Sequence, residues 1–146
     1  MAEGEIMLRV AAKAVIVNSE GRVLILREAN TYAEGTNTGK YHVPGGRLNA
    51  GEWFKDGLKR EIQEETGLTD VETGEAIHVD EWRPVIDGSE QQIVGVFLLC
   101  HYKGGDIQLS DEHDEAVWMN PDERDKYALL PADLAAVEAF LRLRDR

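Results

Sequence analysis

The sequence predicts an α/β domain, a mixed sheet with helices packed on it, and three observations carry that reading. Short runs rich in Val, Ile and Leu are separated by Asn, Asp and Gly turn signals. A stretch from Glu52 to Thr66 repeats its apolar residues one helical turn apart, and a second amphipathic stretch runs from Asp133 to about Arg144.

In chain order, Arg9 to Val17 reads as a strand, Asn18-Ser19-Glu20-Gly21 as a turn, and Val23-Leu24-Ile25-Leu26 as the return strand of a hairpin or near-hairpin. Asn30 to Lys40 is polar and glycine-bearing, a loop long enough to be functional. After a short strand at Tyr41-His42-Val43, the run Pro44-Gly45-Gly46 forces an irregular backbone that only glycine adopts readily. Phe54, Leu58 and Ile62 then mark one face of the helix from Glu52 to Thr66, with Gly67 as its C-terminal cap. Val71 to Trp82 and Gln91 to Tyr102 read as strands around an Asp87-Gly88 turn, and Ala116 to Met119 as another. Pro121 to Asp125 suits a helical turn, and the last helix places Leu134, Val137, Phe140 and Leu141 on one face. With no repeat, linker or low-complexity tract, residues 1–146 read as one domain.

Composition narrows the function classes. At 146 residues the chain can bury roughly two thirds of its unfolded surface. Its longest apolar runs, Ala14 to Val17 and Val94 to Cys100, are far too short to span a bilayer. The acidic start, Met1-Ala2-Glu3-Gly4-Glu5, is unlike a secretory signal, and the lone Cys100 cannot form an internal disulfide, so the cytoplasm is the expected compartment. A formal net charge of −12 opposes binding to a nucleic-acid duplex. It equally opposes an anionic phosphate substrate unless a divalent cation reverses the local field, so a metal is expected on electrostatic grounds.

The chemistry concentrates on the first helix. Glu61, Glu64 and Glu65 stand three and four residues apart, which puts three carboxylates on one face. Like charges so spaced destabilise a helix by about 0.2–0.5 kcal/mol per pair, and Arg60 relieves part of this through Glu64. The resulting oxygen-rich patch suits a hard cation, and the glycines before the helix let a backbone carbonyl reach the same ion.

Gly46, five residues, Glu52, seven residues, Arg60-Glu61-Ile62, one residue, Glu64-Glu65, one residue, Gly67-Leu68: this string resembles the Nudix hydrolase box at every defined position. Seven fixed identities at fixed spacing arise by chance on the order of 10⁻⁹ to 10⁻⁸ per start position. The flanks, Tyr41 to Gly45 and the acidic segment before Trp118, are similar too. The resemblance implies an α/β/α sandwich that hydrolyses a nucleoside diphosphate linked to another moiety, with Mg²⁺ or Mn²⁺ held by Glu61, Glu64, Glu65, the Gly45 carbonyl and Glu112. Arg60 and Glu52 would orient the carboxylates, and the general base would be Glu61 or Glu112. Glu112 is chosen from the acidic segment Ser110 to Glu115 on loop resemblance alone. Gly57 departs from the family's usual alanine, at a helix-propensity cost of about 1 kcal/mol.

Substrate contacts are expected from Arg27, Tyr41, Arg47 and Trp82, with Lys40 and Arg83 as further cations able to grip phosphate. His42, His78, His101 and His113 share no metal-ligand spacing and read as structural or solvent-exposed. Substrate identity stays open between a nucleoside triphosphate and a nucleotide-sugar such as ADP-ribose; Pro84, sixteen residues after Leu68, matches the spacing of the ADP-ribose branch. Two other readings remain: a catalytically silent nucleotide-binding sensor on the same fold, and an allylic diphosphate isomerase. The intact glutamates argue against the first, and Cys100 in an apolar run against the second. The partner is expected to be a small nucleotide-like molecule, with no duplex and no membrane, bound by a monomer or homodimer.

Overall fold

A computed structural model describes residues 5–30 and 37–146; residues 31–36, inside the expected loop from Asn30 to Lys40, lie outside it, as do residues 1–4. The strands are β1 (Met7–Val17), β2 (Val23–Glu28), β3 (Tyr41–His42), β4 (Gly45–Arg47), β5 (Val71–Trp82), β6 (Val85–Ile86), β7 (Ser89–Tyr102) and β8 (His113–Met119). The helices are α1 (Phe54–Thr66) and α2 (Pro131–Arg144), with a 3₁₀ segment over Pro121–Lys126. The central order is β3-β2-β1-β7-β5, and β4, β6 and β8 attach to β1, β7 and β2. The sheet is mixed, as the sequence predicted: β1 and β7 run parallel from Met7↔Gln91 to Val17↔His101, while β5 and β7 are antiparallel.

Two packed clusters explain the continuous apolar runs. Ala12, Ala14 and Ile16 of β1 and Leu24 and Leu26 of β2 meet Leu58 and Ile62 of α1. The alternate residues Val15, Val17, Val23 and Ile25 meet Val137 and Phe140 of α2. Successive strand side chains point to opposite faces, so a strand covered by a helix on each side is apolar throughout. This is the α/β/α sandwich that the resemblance implied.

Of the hairpin or near-hairpin expected, the near-hairpin is what forms. Its turn forms, with the Asn18 side chain accepting from the Glu20 and Arg22 backbones at 3.0 Å. Yet β1 and β2 share only the Val17↔Val23 pair. Beyond it they diverge, β2 to β8 and β3, β1 to β7 and β4. The wedge between them is filled by the chain from β3 to β4, and the opened cleft holds the candidate site.

Helix α1 starts two residues later than the periodicity suggested, because Glu52 belongs to the preceding turn, where its carboxylate accepts from the Asn49 backbone at 2.8 Å. Gly57 is explained by space: a Cβ there would lie 2.4 Å from Leu48 Cδ2. Gly67 caps α1 at φ 75°, its N–H donating to the Gln63 carbonyl. A Cβ at Gly67 would meet nothing closer than 3.4 Å, so Gly67→Ala should lose only the left-handed backbone preference, about 1–2 kcal/mol in a urea melt. Helix α2 begins at Pro131, which suits a first helical position. Its buried face is Asp133, Ala136, Val137, Ala139, Phe140 and Leu141; Leu134, expected there, is half-buried.

Candidate active site

Divergence of β1 from β2 opens two adjoining cavities, of about 430 and 650 Å³, which share Lys13, Glu28, Asn37, His42, Trp82 and Pro84 as walls. The smaller is lined by Gly45, Gly46, Glu61, Glu65, Glu112 and His113. Strand β4 brings the two glycines there by pairing with β1 at Ala12 and Lys13. A Cβ at Gly46 would fall 2.6 Å from Glu61 Oε2, so a residue without a side chain lets that carboxylate lie against the backbone.

Arg60 organises the helix acids. Its Nε and Nη2 donate to the two oxygens of Glu52 at 2.7 and 2.9 Å, and its Nη1 donates to Glu61 at 3.0 Å and Glu64 at 3.2 Å. The Arg60 fork, with the Asn49 N–H, holds the Glu52 carboxyl down at about 2. The three carboxylates of α1 are not equivalent. Glu65 is buried, and its Oε1 accepts from the Gly45 N–H at 2.7 Å. Burial, reinforced by the nearby charges of Glu61 and Glu112 and opposed by Lys13 and the Gly45 N–H, pushes its carboxyl up to about 8. Burial also raises Glu61, against the pull of Arg60. Glu64 turns outward, with its side chain 59% exposed against Arg60, and lines neither cavity.

Of the expected metal ligands, Gly45, Glu61, Glu65 and Glu112 therefore gather around one cavity, and Glu64 lies outside it. Their donor set fits a hard divalent cation: carboxylate oxygens and a backbone carbonyl, with two carboxyls whose ionised forms are destabilised by burial until a positive charge arrives. Of the expected substrate contacts, Arg47 lines the smaller cavity, its Nη1 donating to Gln91 at 3.0 Å. Trp82 borders both cavities, and its ring needs the space over Gly95, where a Cβ would lie 2.4 Å away. Arg27 and Tyr41 line neither: Arg27 binds Asp114 at 2.7 Å and Glu115 at 2.9 Å, and the Tyr41 hydroxyl donates to Glu115 at 3.1 Å. Arg83 borders the larger cavity and pairs with Glu81, while Lys40 reaches neither.

Lys13, Asp133, His42, His113 and Glu28 are among the wall residues that were not expected. Lys13 is buried and lies 3.6 Å from Asp133 Oδ1, which also accepts from the Val43 N–H at 2.8 Å. His42 and His113 meet at 2.7 Å between their Nε2 atoms. Glu28 is buried, and its Oε2 has no hydrogen-bond partner. A signal existed for Lys13, the one charge in the apolar run from Val10 to Val17. The two histidines fall under the structural reading in being buried or half-buried, but they are at the site.

Comparison with known proteins agrees with this geometry. A profile described as the NUDIX domain matches residues 7–140. The chain is 32% identical over 114 residues to a MutT-like protein of Streptomyces ambofaciens, the match covering 78% of this chain and 65% of that relative's length. It is 27% identical over 143 residues to a CTP pyrophosphohydrolase of Escherichia coli (strain K12), covering 94% and 96%. The crystal structure of a MutT protein from Methanosarcina mazei Go1 superimposes with a TM-score of 0.84 at 28% identity, covering 97% of this chain and 99% of that one.

Proposed function

This chain belongs to the NUDIX family and is a hydrolase, and from that premise we propose that it cleaves a phosphoanhydride bond in a nucleoside diphosphate derivative with Mg²⁺ or Mn²⁺. The observation that carries the reading is the junction of the two cavities. One is rimmed by oxygen donors; the other, at about 650 Å³, has room for a nucleoside. A phosphate chain lying across their shared wall would put its anhydride at the glutamates and its base and ribose beside Trp82 and Asp133.

Gly45, Glu61, Glu64, Glu65 and Glu112 would hold the ions, which when bound would supply positive charge against the phosphates and their leaving group. The chain's own residues do the rest. Arg60, locked on Glu52, fixes the rotamers of Glu61 and Glu64, so the carboxylates are ordered before substrate arrives. Glu61 and Glu112, both on the smaller cavity, are the carboxylates placed to take a proton from the attacking water. Lys13 and Arg47 bring positive charge to the same walls, and Trp82 offers a ring for the base.

The E. coli relative's name favours a nucleoside triphosphate over a nucleotide-sugar. The net charge of −12 supports a small-molecule substrate rather than a duplex, and no helix among the described residues is long and apolar enough to cross a membrane.

The test is a panel of (d)NTPs, nucleotide-sugars and dinucleoside polyphosphates, followed by chromatography, with Mg²⁺, with Mn²⁺ and with excess chelator. The expected result is release of a nucleoside monophosphate that stops in chelator and returns with either ion. In ¹⁸O-labelled water the label should enter a phosphate. Full turnover in chelator would overturn the metal dependence, and label on a sugar carbon would overturn attack at phosphorus. A silent sensor or an isomerase would release no phosphate.

A further inference from the structure

We infer that His42, His113 and Glu65 form a binding site for one borderline transition ion of the Zn²⁺ or Co²⁺ kind, distinct in chemistry from the oxygen-only Mg²⁺ or Mn²⁺ cluster. The three come from β3, β8 and α1, and one ligand atom from each lies within 4.8 Å of the others. His42 Nε2 and His113 Nε2 are 2.7 Å apart, and His113 Nε2 is 3.8 Å from Glu65 Oε2. An ion that holds nitrogen and oxygen ligands at 2.0–2.2 Å sets neighbouring ligand atoms roughly 2.9–3.4 Å apart. The imidazoles need only open by a few tenths of an ångström, whereas the Glu65 carboxylate, 3.8 Å from His113 in a triad whose ligand atoms spread over up to 4.8 Å, must swing in by about an ångström.

The surroundings hold these atoms as a ligand set requires. The Gly45 N–H takes Glu65 Oε1, leaving Oε2 on the histidine side. His42 Nδ1 lies 2.7 Å from the Val43 carbonyl, and donation to that oxygen leaves the Nε2 lone pair toward the centre of the triad. A backbone carbonyl that fixes the tautomer of a ligating histidine is the usual support for such a metal ligand. With Nε2 of His42 as acceptor, His113 donates from its own Nε2, and His113 Nδ1 is left buried with no hydrogen-bond partner. For His113 to ligate through Nε2 its proton must move to Nδ1, which then becomes a buried N–H donor without a partner, a cost that the ion's bonds must exceed. Lys13 Nζ, 3.3 Å from His42 Nδ1, opposes a cation, but its charge is offset by Asp133 at 3.6 Å.

Two imidazoles and one carboxylate select the ion. Mg²⁺ prefers oxygen and binds imidazole poorly, whereas Zn²⁺, Co²⁺ and Ni²⁺ favour nitrogen. Because Glu65 is common to both donor sets, occupation by such an ion would withdraw it from the oxygen cluster and depress Mg²⁺-supported turnover. That consequence rests on the function proposed above; the binding itself does not.

The experiment titrates chelator-stripped protein with Co²⁺, followed by visible absorption, and with Zn²⁺, followed by calorimetry. We expect one ion per chain, a visible band of nitrogen-ligated Co²⁺, and at least tenfold weaker binding in His42→Gln and in His113→Gln, with a hundredfold excess of Mg²⁺ failing to displace Co²⁺. Ring ¹⁵N resonances of the unsubstituted protein give a measurement independent of whether the variants fold: Zn²⁺ should move the Nε2 signals of His42 and His113. No binding, equal binding in all three proteins, or saturation that leaves those resonances in place would overturn the proposal, the imidazoles then being a hydrogen-bonded structural pair. Mg²⁺-supported nucleotide hydrolysis without added transition ion tests the proposed function separately.

Discussion

Replacing Glu65 by Gln is expected to reduce turnover about 100-fold or more while making the metal-free protein more stable at neutral pH. Glu65 is buried, and burial holds its carboxyl at about 8, above its ordinary value near 4.5. Between those two values the native chain keeps a proton that the unfolded chain releases. Stability without metal therefore falls as pH rises from about 4.5 to about 8, by a few kcal/mol in all. Gln is neutral throughout, and its side-chain oxygen can still accept from the Gly45 N–H, so the variant escapes that decline. Its advantage over the parent should widen from pH 5 to pH 8 and then stay level. His113, which burial lowers to about 4, contributes in the opposite sense, stability rising with pH between that value and its ordinary 6.5, so the comparison of the two proteins is cleanest from pH 6.5 to pH 8.

With Mg²⁺ the order reverses. An ion that binds only the folded state adds about 2–3 kcal/mol at 100-fold excess over its dissociation constant, and the variant, short of one ligand, should gain much less. Since the ion requires ionised Glu65, its affinity for the parent should strengthen with pH up to about 8. Urea melts of both proteins from pH 5 to pH 9, with and without Mg²⁺, measure all of this. Parallel pH profiles in the absence of metal would overturn the raised Glu65 carboxyl, and an undiminished Mg²⁺ gain in the variant would remove Glu65 from the ligand set.

The origin of this effect shows where sequence reading stopped. Three glutamates at spacings of three and four were legible as a metal-binding face, and mutual repulsion was the expected consequence. In the folded chain desolvation is the larger influence on Glu65, because the residue lies beneath β4, and helical spacing carries no information about what covers a face. Glu64 was equally legible as a carboxylate, but not its outward turn against Arg60. The longer strands and both helices could be read because periodicity is local, whereas β4, read as irregular backbone, and the two-residue β6 were missed. The partners of β2 could not be read: its long antiparallel neighbour, β8, begins at His113, whereas the adjacent β1 shares a single pair with it. Likewise His42 and His113 are 71 residues apart, and Val43 and Asp133 are 90 apart, so only the closed fold brings them together. Lys13 was missed as well, although a lone charge in a strand buried on both faces was a signal for a buried partner.

The two glycines before α1 should separate folding from catalysis, and Gly45→Ala carries the larger loss of stability. Gly45 has φ 137°, and a Cβ there would lie 2.2 Å from the Ala12 carbonyl oxygen and 2.7 Å from Lys13 Cα. Both are backbone atoms of β1, held by the pairing of Gly45 with Lys13 and of β1 with β7, so neither can move aside cheaply. The substitution therefore combines an unfavourable backbone region with a clash against the central strand, and should destabilise the chain by about 3–5 kcal/mol. It also displaces the N–H that holds Glu65, so any folded fraction should be nearly inactive. At Gly46 the three atoms nearest the added Cβ all belong to the Glu61 carboxylate, with Oε2 at 2.6 Å, so the clash falls on the far end of a side chain rather than on backbone. Gly46→Ala should accordingly melt within about 1.5 kcal/mol of the parent yet lose most of its turnover, because Glu61 must leave its place. Denaturation curves and turnover for the two variants decide the matter. Should Gly45→Ala melt with the parent, the close approach of β4 to β1 is wrong, and with it the position assigned to the Gly45 carbonyl. Should Gly46→Ala keep full activity, Glu61 does not act from where the structure puts it.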